Sequence, residues 1–213
     1  MTLWGLAWAA FAPLALFVAV GLIALALRGV AGRWWSLVIA ALIVLAPVAS
    51  IWSADRAEFR RTCTDMGPPV IRRTASAEGV YLASGSVNSF GMRYLHQEGF
   101  RWIEAADYRY PGAFVRYARG ADGSITTDSI GAITAQYMVE EIFSQPHPHT
   151  GLSMTRVVDR VTGEELARAG SGSFSGGRAK WVLGAWGSSS CPNAANNIEG
   201  FDTYYHLAQR TLR

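Results

Sequence analysis

The sequence predicts a two-helix transmembrane hairpin followed by an α+β domain, made mainly of antiparallel strands with a C-terminal helix. Two uncharged apolar runs, Leu3–Leu27 and Trp34–Ala54, stand on either side of a six-residue link. From Asp55 onward the text changes to short β-rich segments bounded by Gly, Pro and Ser. Near its end, Phe201, Tyr205, Ala208 and Leu212 fall at i, i+4, i+7 and i+11, a helical stripe. The expected organisation is a hairpin over residues 1–54, with helices at about 3–27 and 34–54, and one globular domain over 55–213.

The first run holds twenty-five residues and the second twenty-one. At about 1.5 Å per residue, either crosses a hydrocarbon core of about 30 Å. In lipid a single segment satisfies its own backbone only as a helix, so both runs are expected to be helical. Pro13 and Pro47 are candidate kinks. Arg28–Arg33, with two glycines among six residues, has room only for a tight turn between antiparallel neighbours. Trp4 and Trp8 begin the first run and Trp52 ends the second, which a hairpin puts on one side; Trp34 and Trp35 mark the other, as interfacial aromatic belts do. Small residues at four-residue spacing (Gly5 and Ala9, Ala15 and Ala19, Ala46 and Ser50) offer close approach between the helices. The alternative is a cleaved signal peptide and one anchor. A signal peptide carries a basic first region and a shorter apolar core, and Met1–Thr2 provides no basic side chain.

Charge is concentrated beyond the runs. All sixteen acids and seventeen of the nineteen basic residues lie from Asp55 onward, so that part of the chain has a net charge of only +1. It contains a single lysine, Lys180. Nucleic-acid binders gather Lys and Arg into a patch or stripe, so no nucleic-acid partner is expected; the lipid bilayer is. Orientation is contested within the sequence. Arg28 and Arg33 make the short link positive, which keeps it in the cytoplasm, whereas Arg56, Arg60, Arg61, Arg72 and Arg73 count the other way. Cys63 and Cys191 bracket the domain, as a disulfide of an oxidising compartment would, with a pair of buried thiols as the alternative. Bridging so long a loop is worth about 4–5 kcal/mol on the chain-entropy account. Link charge and cysteines together favour an extracytoplasmic domain.

Within the domain, Val70–Thr74, Gly79–Ala83, Phe100–Ala105 and Ala113–Arg119 are expected strands, and Arg93–Glu98 a turn or two of helix. Ser84–Gly91 and Ala121–Ser124 read as loop and turn. Ala132–Phe143 alternates, with Ile133, Ala135, Tyr137 and Val139 on one face. Leu152–Val158 and Glu165–Phe174 form a hairpin about Asp159–Gly163, where Asp caps the turn and Gly supplies positive φ. Trp181–Trp186 is a further expected strand.

Four fragments invite chemistry. In Pro146-His147-Pro148-His149-Thr150 the two prolines impose an extended backbone, so His147 and His149 point the same way and are the candidate metal ligands. Two ligands do not complete a zinc site, and a third would have to come from His96, His206 or a carboxylate. An exposed Pro/His loop is the commoner explanation. Gly170–Gly177 lacks the Gly-Lys-Ser/Thr of a phosphate loop and the centred serine of a hydrolase elbow. Phe100, Trp102, Tyr108, Tyr110, Phe114 and Tyr117 interleave with Arg101, Arg109, Arg116 and Arg119, a mixture able to stack sugars or touch headgroups; alternating strands with buried aromatics give the same text and are preferred. Adjacent glutamates, Glu140 with Glu141 and Glu164 with Glu165, point apart and do not flank a substrate.

The stretch RVTGEELARAGSGSF from Arg160, GGRAKWVLGAW from Gly176 and the late Ser190-Cys191-Pro192 resemble uncharacterised bacterial membrane-anchored envelope proteins with no assigned activity. The resemblance covers roughly the last 150 residues and implies a location, not a reaction. The expectation is an inner-membrane envelope protein, multi-pass, with its domain in the periplasm. It needs no cofactor and acts as a non-enzymatic protein-binding, accessory or immunity-type module with an envelope protein as partner. The alternative is a membrane-tethered hydrolase or metal-dependent enzyme; a pore formed by the hairpin ranks last, since no ionisable residue lies within either run.

Overall fold

The computed structural model describes residues 15, 17–29, 32–83, 91–192 and 198–213. The chain divides into two compact units. One comprises Met1–Asp65, Gln145–Gly151 and Ser173–Ser190; the other comprises Met66–Ser144, Leu152–Gly172 and Cys191–Arg213.

The first unit is organised on helices. Helix α1 is described over Phe17–Gly29, and α2 runs from Arg33 to Met66 with Pro47 inside it. Among the described residues α2 alone is long and apolar enough to cross a membrane, and its most apolar eighteen-residue stretch is only 6% buried. Trp4, Trp8, Pro13, Gly5 and Ala9 lie outside the described residues. Helix α2 continues twelve residues past the predicted end at Ala54, because no Gly or Pro intervenes before Gly67, Pro68 and Pro69. The small-residue stripe also differs from expectation: Ala46 and Ser50 are exposed, whereas Ser36 and Ala40, one turn apart, are buried at 2% and 0% exposure.

The second unit is a mixed, mostly antiparallel sheet with short helices, including two at the C-terminus. The strands are β1 (Val70–Ile71), β2 (Gly79–Leu82), β3 (Trp102–Ala106), β4 (Phe114–Arg119), β5 (Ile125–Ile130), β6 (Tyr137–His147), β7 (Thr150–Asp159) and β8 (Glu165–Ser175), in spatial order β1-β8-β7-β6-β2-β3-β4-β5; Gln145–His147 of β6, Thr150–Gly151 of β7 and Ser173–Ser175 of β8 belong to the first unit. A ninth, β9 (Ser188–Cys191), pairs with β8. Strand β2 lies parallel to both β3 and β6, so the sheet is not wholly antiparallel. A parallel pair needs a crossover, and α3 (Met92–His96) lies in the connection from β2 to β3. Val80, Leu95, Ile103, Val157, Leu166 and Leu207 are at most 1% exposed and anchor the core.

The Asp159 turn follows the expected chemistry. Val161 and Thr162 donate backbone N–H groups to Asp159 Oδ1 at 2.8 and 3.2 Å, and Gly163 has φ 73°. Ala135, Tyr137 and Val139 are buried on one face as expected. The strand nevertheless begins only at Tyr137, because the N–H groups of Thr134 and Ala135 are engaged by the Glu104 carboxylate instead of a neighbouring strand. Strand β5, unforeseen, is a polar edge strand held by its full register on β4, from Phe114↔Ile130 to Arg119↔Ile125. Trp181–Trp186 is not a strand. Lys180–Leu183 forms α4, and Gly184–Gly187 a 3-10 turn. The C-terminal helix is broken into α5 (Ile198–Tyr205) and α6 (Leu207–Thr211), with His206 at φ −111° between them. The break shifts the phase: Tyr205 is 36% exposed while Leu207, Ala208 and Leu212 are buried.

Candidate functional site

Within the first unit, one face of α2 is fastened to Ser173–Gly187. Trp52, Asp55 and Phe59 fall at i, i+3 and i+7, a single helical stripe. Trp52 donates its indole N–H to the Gly187 carbonyl at 3.2 Å. Phe59 and Phe174, each 2% exposed, stack with centroids 5.4 Å apart. Between them, Asp55 accepts the backbone N–H of Arg178 at 2.8 Å and both Nε and Nη2 of its guanidinium, the latter at 2.7 Å. The Gly176-Gly177-Arg178 turn is thus a receptor for a carboxylate. Gly177 has φ 64°, and a Cβ there would lie 2.4 Å from Asp55 Oδ2 and 2.8 Å from Asp55 Cβ. Gly177→Ala is therefore expected to destabilise by more than about 1 kcal/mol from backbone strain, before the clash is counted. Faster protease cleavage within Ser173–Ser190 of the full chain is the measurement that checks it.

The two candidate metal ligands sit in this unit at the tip of the β6–β7 hairpin. His147 Nε2 lies 3.2 Å from Glu58 Oε1 on α2, and His149 gives its carbonyl to the Ser175 N–H at 3.1 Å. His96 and His206 belong to the other unit. Among the described residues no group of three or more His, Cys, Asp or Glu is gathered as a metal would require. Cys63 and Cys191 form a disulfide, and neither is free.

In the second unit, the β3–β4 loop presents the middle of the aromatic–arginine mixture. Tyr108 and Tyr110 are 75% and 64% exposed. Arg109 lies between them, its guanidinium carbon 5.8 Å from each ring centroid. Asp107, buried beneath, accepts the Arg109 backbone N–H at 2.9 Å and its guanidinium at 3.1 Å through both oxygens. Those bonds hold the Asp107 carboxyl below its ordinary value. Backbone bonds from Asp107 N–H to Ala113 and from Ala113 N–H to Tyr110 close the loop. The rest of the mixture is structural: Phe100 is buried at 3% exposure, and Arg116 covers the Trp102 ring at 4.7 Å while bonding Glu104. Arginine here reaches inward to a buried acid, not only outward to water.

Two acids that the motif reading passed over are fully shielded. Glu104 accepts from Arg116, from Thr134 and from the N–H groups of Thr134 and Ala135. Glu98 is paired with Arg93 at 3.1 Å and accepts the Gln209 N–H, an N-terminal donor of α6, at 3.2 Å. The available signal for Glu104 was its place in Trp102–Ala106, a single acid in a strand otherwise apolar. Glu140 and Glu141 take different partners, Arg156 and Ser153, in keeping with their pointing apart.

No family model, curated protein or solved structure matches the chain.

Proposed function

We propose that the chain is an inner-membrane protein of the bacterial envelope, a two-helix hairpin holding its sheet domain in the periplasm. There it acts as a non-enzymatic module, of accessory or immunity type, that binds another envelope protein through Tyr108, Arg109 and Tyr110. The observation that carries the binding role is the exposed Tyr-Arg-Tyr tip, hydrogen-bonded from beneath by Asp107. Tyrosine and arginine are the residue types that dominate binding energy at protein interfaces, and a tip already ordered by Asp107 loses little freedom on docking.

Several features support the membrane setting. A helix in the core of a soluble domain buries its large side chains, yet Trp34, Leu42 and Leu45 of α2 are 80%, 61% and 52% exposed. Such a surface calls for an apolar solvent. The described part of α1 is too short to cross alone, but the uncharged run containing it extends back to Leu3. The disulfide suits an oxidising compartment.

A photo-crosslinking side chain placed at Tyr110 in native membranes is expected to trap one protein in stoichiometric yield. The same group at Val161, 81% exposed on the far turn between β7 and β8, is expected to trap none. Asp107→Asn, which removes one charge from the clamp on Arg109, is expected to lower the yield severalfold. Equal, scattered adducts from both positions, or turnover of a small substrate by the purified chain with no trapped protein, would overturn the reading.

A further inference from the structure

We infer that the segment Gly177–Gly187 is a second membrane contact, with Trp181 and Lys180 of α4 and Arg56 of α2 seated in the headgroup layer of the bilayer that α2 crosses. The inference rests on the reading of α2 as a membrane span and adds a surface to it.

Depth carries the argument. The uncharged run ends at Ala54, so Trp52 lies about 3 Å inside its end along the helix axis. The Trp52 indole bonds directly to the Gly187 carbonyl, and one turn further on Asp55 holds Arg178. The segment is therefore fastened to α2 at both ends of the same turn, at the level where apolar helix gives way to charge. It is also compact: a Cβ on Gly187 would lie 3.1 Å from Leu183 Cβ and 3.2 Å from Gly176 Cα. Short reach and close packing keep α4 at that level.

What the segment exposes there is suited to a lipid interface. Trp181 is 67% exposed, and the Lys180 ammonium sits 5.0 Å from its ring centroid. Arg56 covers the Trp52 ring at 4.8 Å, and Arg60 and Arg61 on the next turn are exposed. Indole favours the boundary between hydrocarbon and water. Lysine and arginine beside it are attracted to lipid phosphates. Asp55 does not offset them, since Arg178 already engages it. Glu58 Oε1 lies 3.2 Å from His147 Nε2. A protein partner would find the same tryptophan, but it would have to share the level of the headgroups with the lipid already surrounding α2.

The test uses the full chain with its disulfide intact, reconstituted into vesicles of zwitterionic and anionic phospholipid. One added thiol carries a fluorophore at Trp181→Cys or at Leu42→Cys, and quenchers are placed at the headgroup, deep in the acyl chain or in the water. The 181 label is expected to respond severalfold more strongly to the headgroup quencher than to the deep one, while the Leu42 label responds to the deep quencher. A 181 label quenched from the water but not from the headgroup, with Leu42 still quenched from within the bilayer, would sink the inference and leave the anchor standing. An unquenched Leu42 label would overturn the anchor and the inference together.

Discussion

Glu104→Ala is expected to cost the sheet domain about 3–5 kcal/mol, the range typical of removing one partner from a buried ion pair. The carboxylate is completely buried and serves three elements at once. Its partners are Arg116 on β4, at 2.6 Å from Nη2, the Thr134 hydroxyl at 2.8 Å, and the backbone N–H groups of Thr134 and Ala135 at 2.8 and 2.9 Å. Truncation strands the Thr134 and Ala135 backbone donors at a buried position and removes the acid partner of Arg116, whose side chain is 31% exposed. Glu104→Gln, which keeps the shape and one carbonyl acceptor, is expected to lose less. Burial by itself would raise this carboxyl, but the Ala135 N–H, Arg116 and Thr134 outweigh it and hold it below its ordinary 4.5. A carboxylate lowered on folding contributes stability that is present above its unfolded value and lost as pH falls through the folded one. The wild-type chain should therefore weaken in acid, and the alanine variant should show less of that dependence. Urea unfolding of the full chain in detergent, followed across the acid range, measures both effects.

Glu98 predicts the opposite slope. Burial is the main influence on its carboxyl, which is pushed up from 4.5 to about 7 against the opposing pull of Arg93 and the Gln209 N–H. A carboxyl raised on folding destabilises the folded state once the unfolded chain can ionise and the folded one resists. Its contribution is fully favourable below the unfolded value of 4.5 and is lost as pH rises through about 7. The difference corresponds to roughly 3 kcal/mol. Glu98→Gln keeps an acceptor for the Gln209 N–H and never ionises. It is expected to be more stable than wild type above neutrality, by up to that amount, and to converge with wild type in acid. A variant that is less stable at every pH would show instead that the Arg93 pair holds the site together as a charged bridge.

The two acids also mark where the sequence stops being legible. Apolar runs, turn chemistry and period-two alternation are local properties, and they located α2, the Asp159 turn and the buried face of Ala135, Tyr137 and Val139. Strand β5 has no apolar alternation to announce it, since a polar edge strand is defined by its register on β4. The Trp181–Trp186 stretch has strand-like composition, but it follows a turn with left-handed glycines at 176 and 177, where the Arg178 N–H is bonded to Asp55, and it is helical. That pairing joins residues 123 positions apart, a separation that no spacing argument reaches. The tyrosine loop was visible as composition; the bonds from Arg109 to Asp107 become apparent only once the β3–β4 hairpin closes. For the histidines, spacing offered a shared ion and, as the preferred reading, an exposed Pro/His loop; it could not show that His147 lies 3.2 Å from Glu58 on α2.

The claim on which the rest depends is that α2 is held in lipid, and alkaline carbonate extraction of membranes from cells producing the full chain tests it most directly. The chain is expected to remain in the membrane pellet with an integral marker, including when Trp181 is replaced by alanine. Release into the supernatant with peripheral proteins would contradict the account.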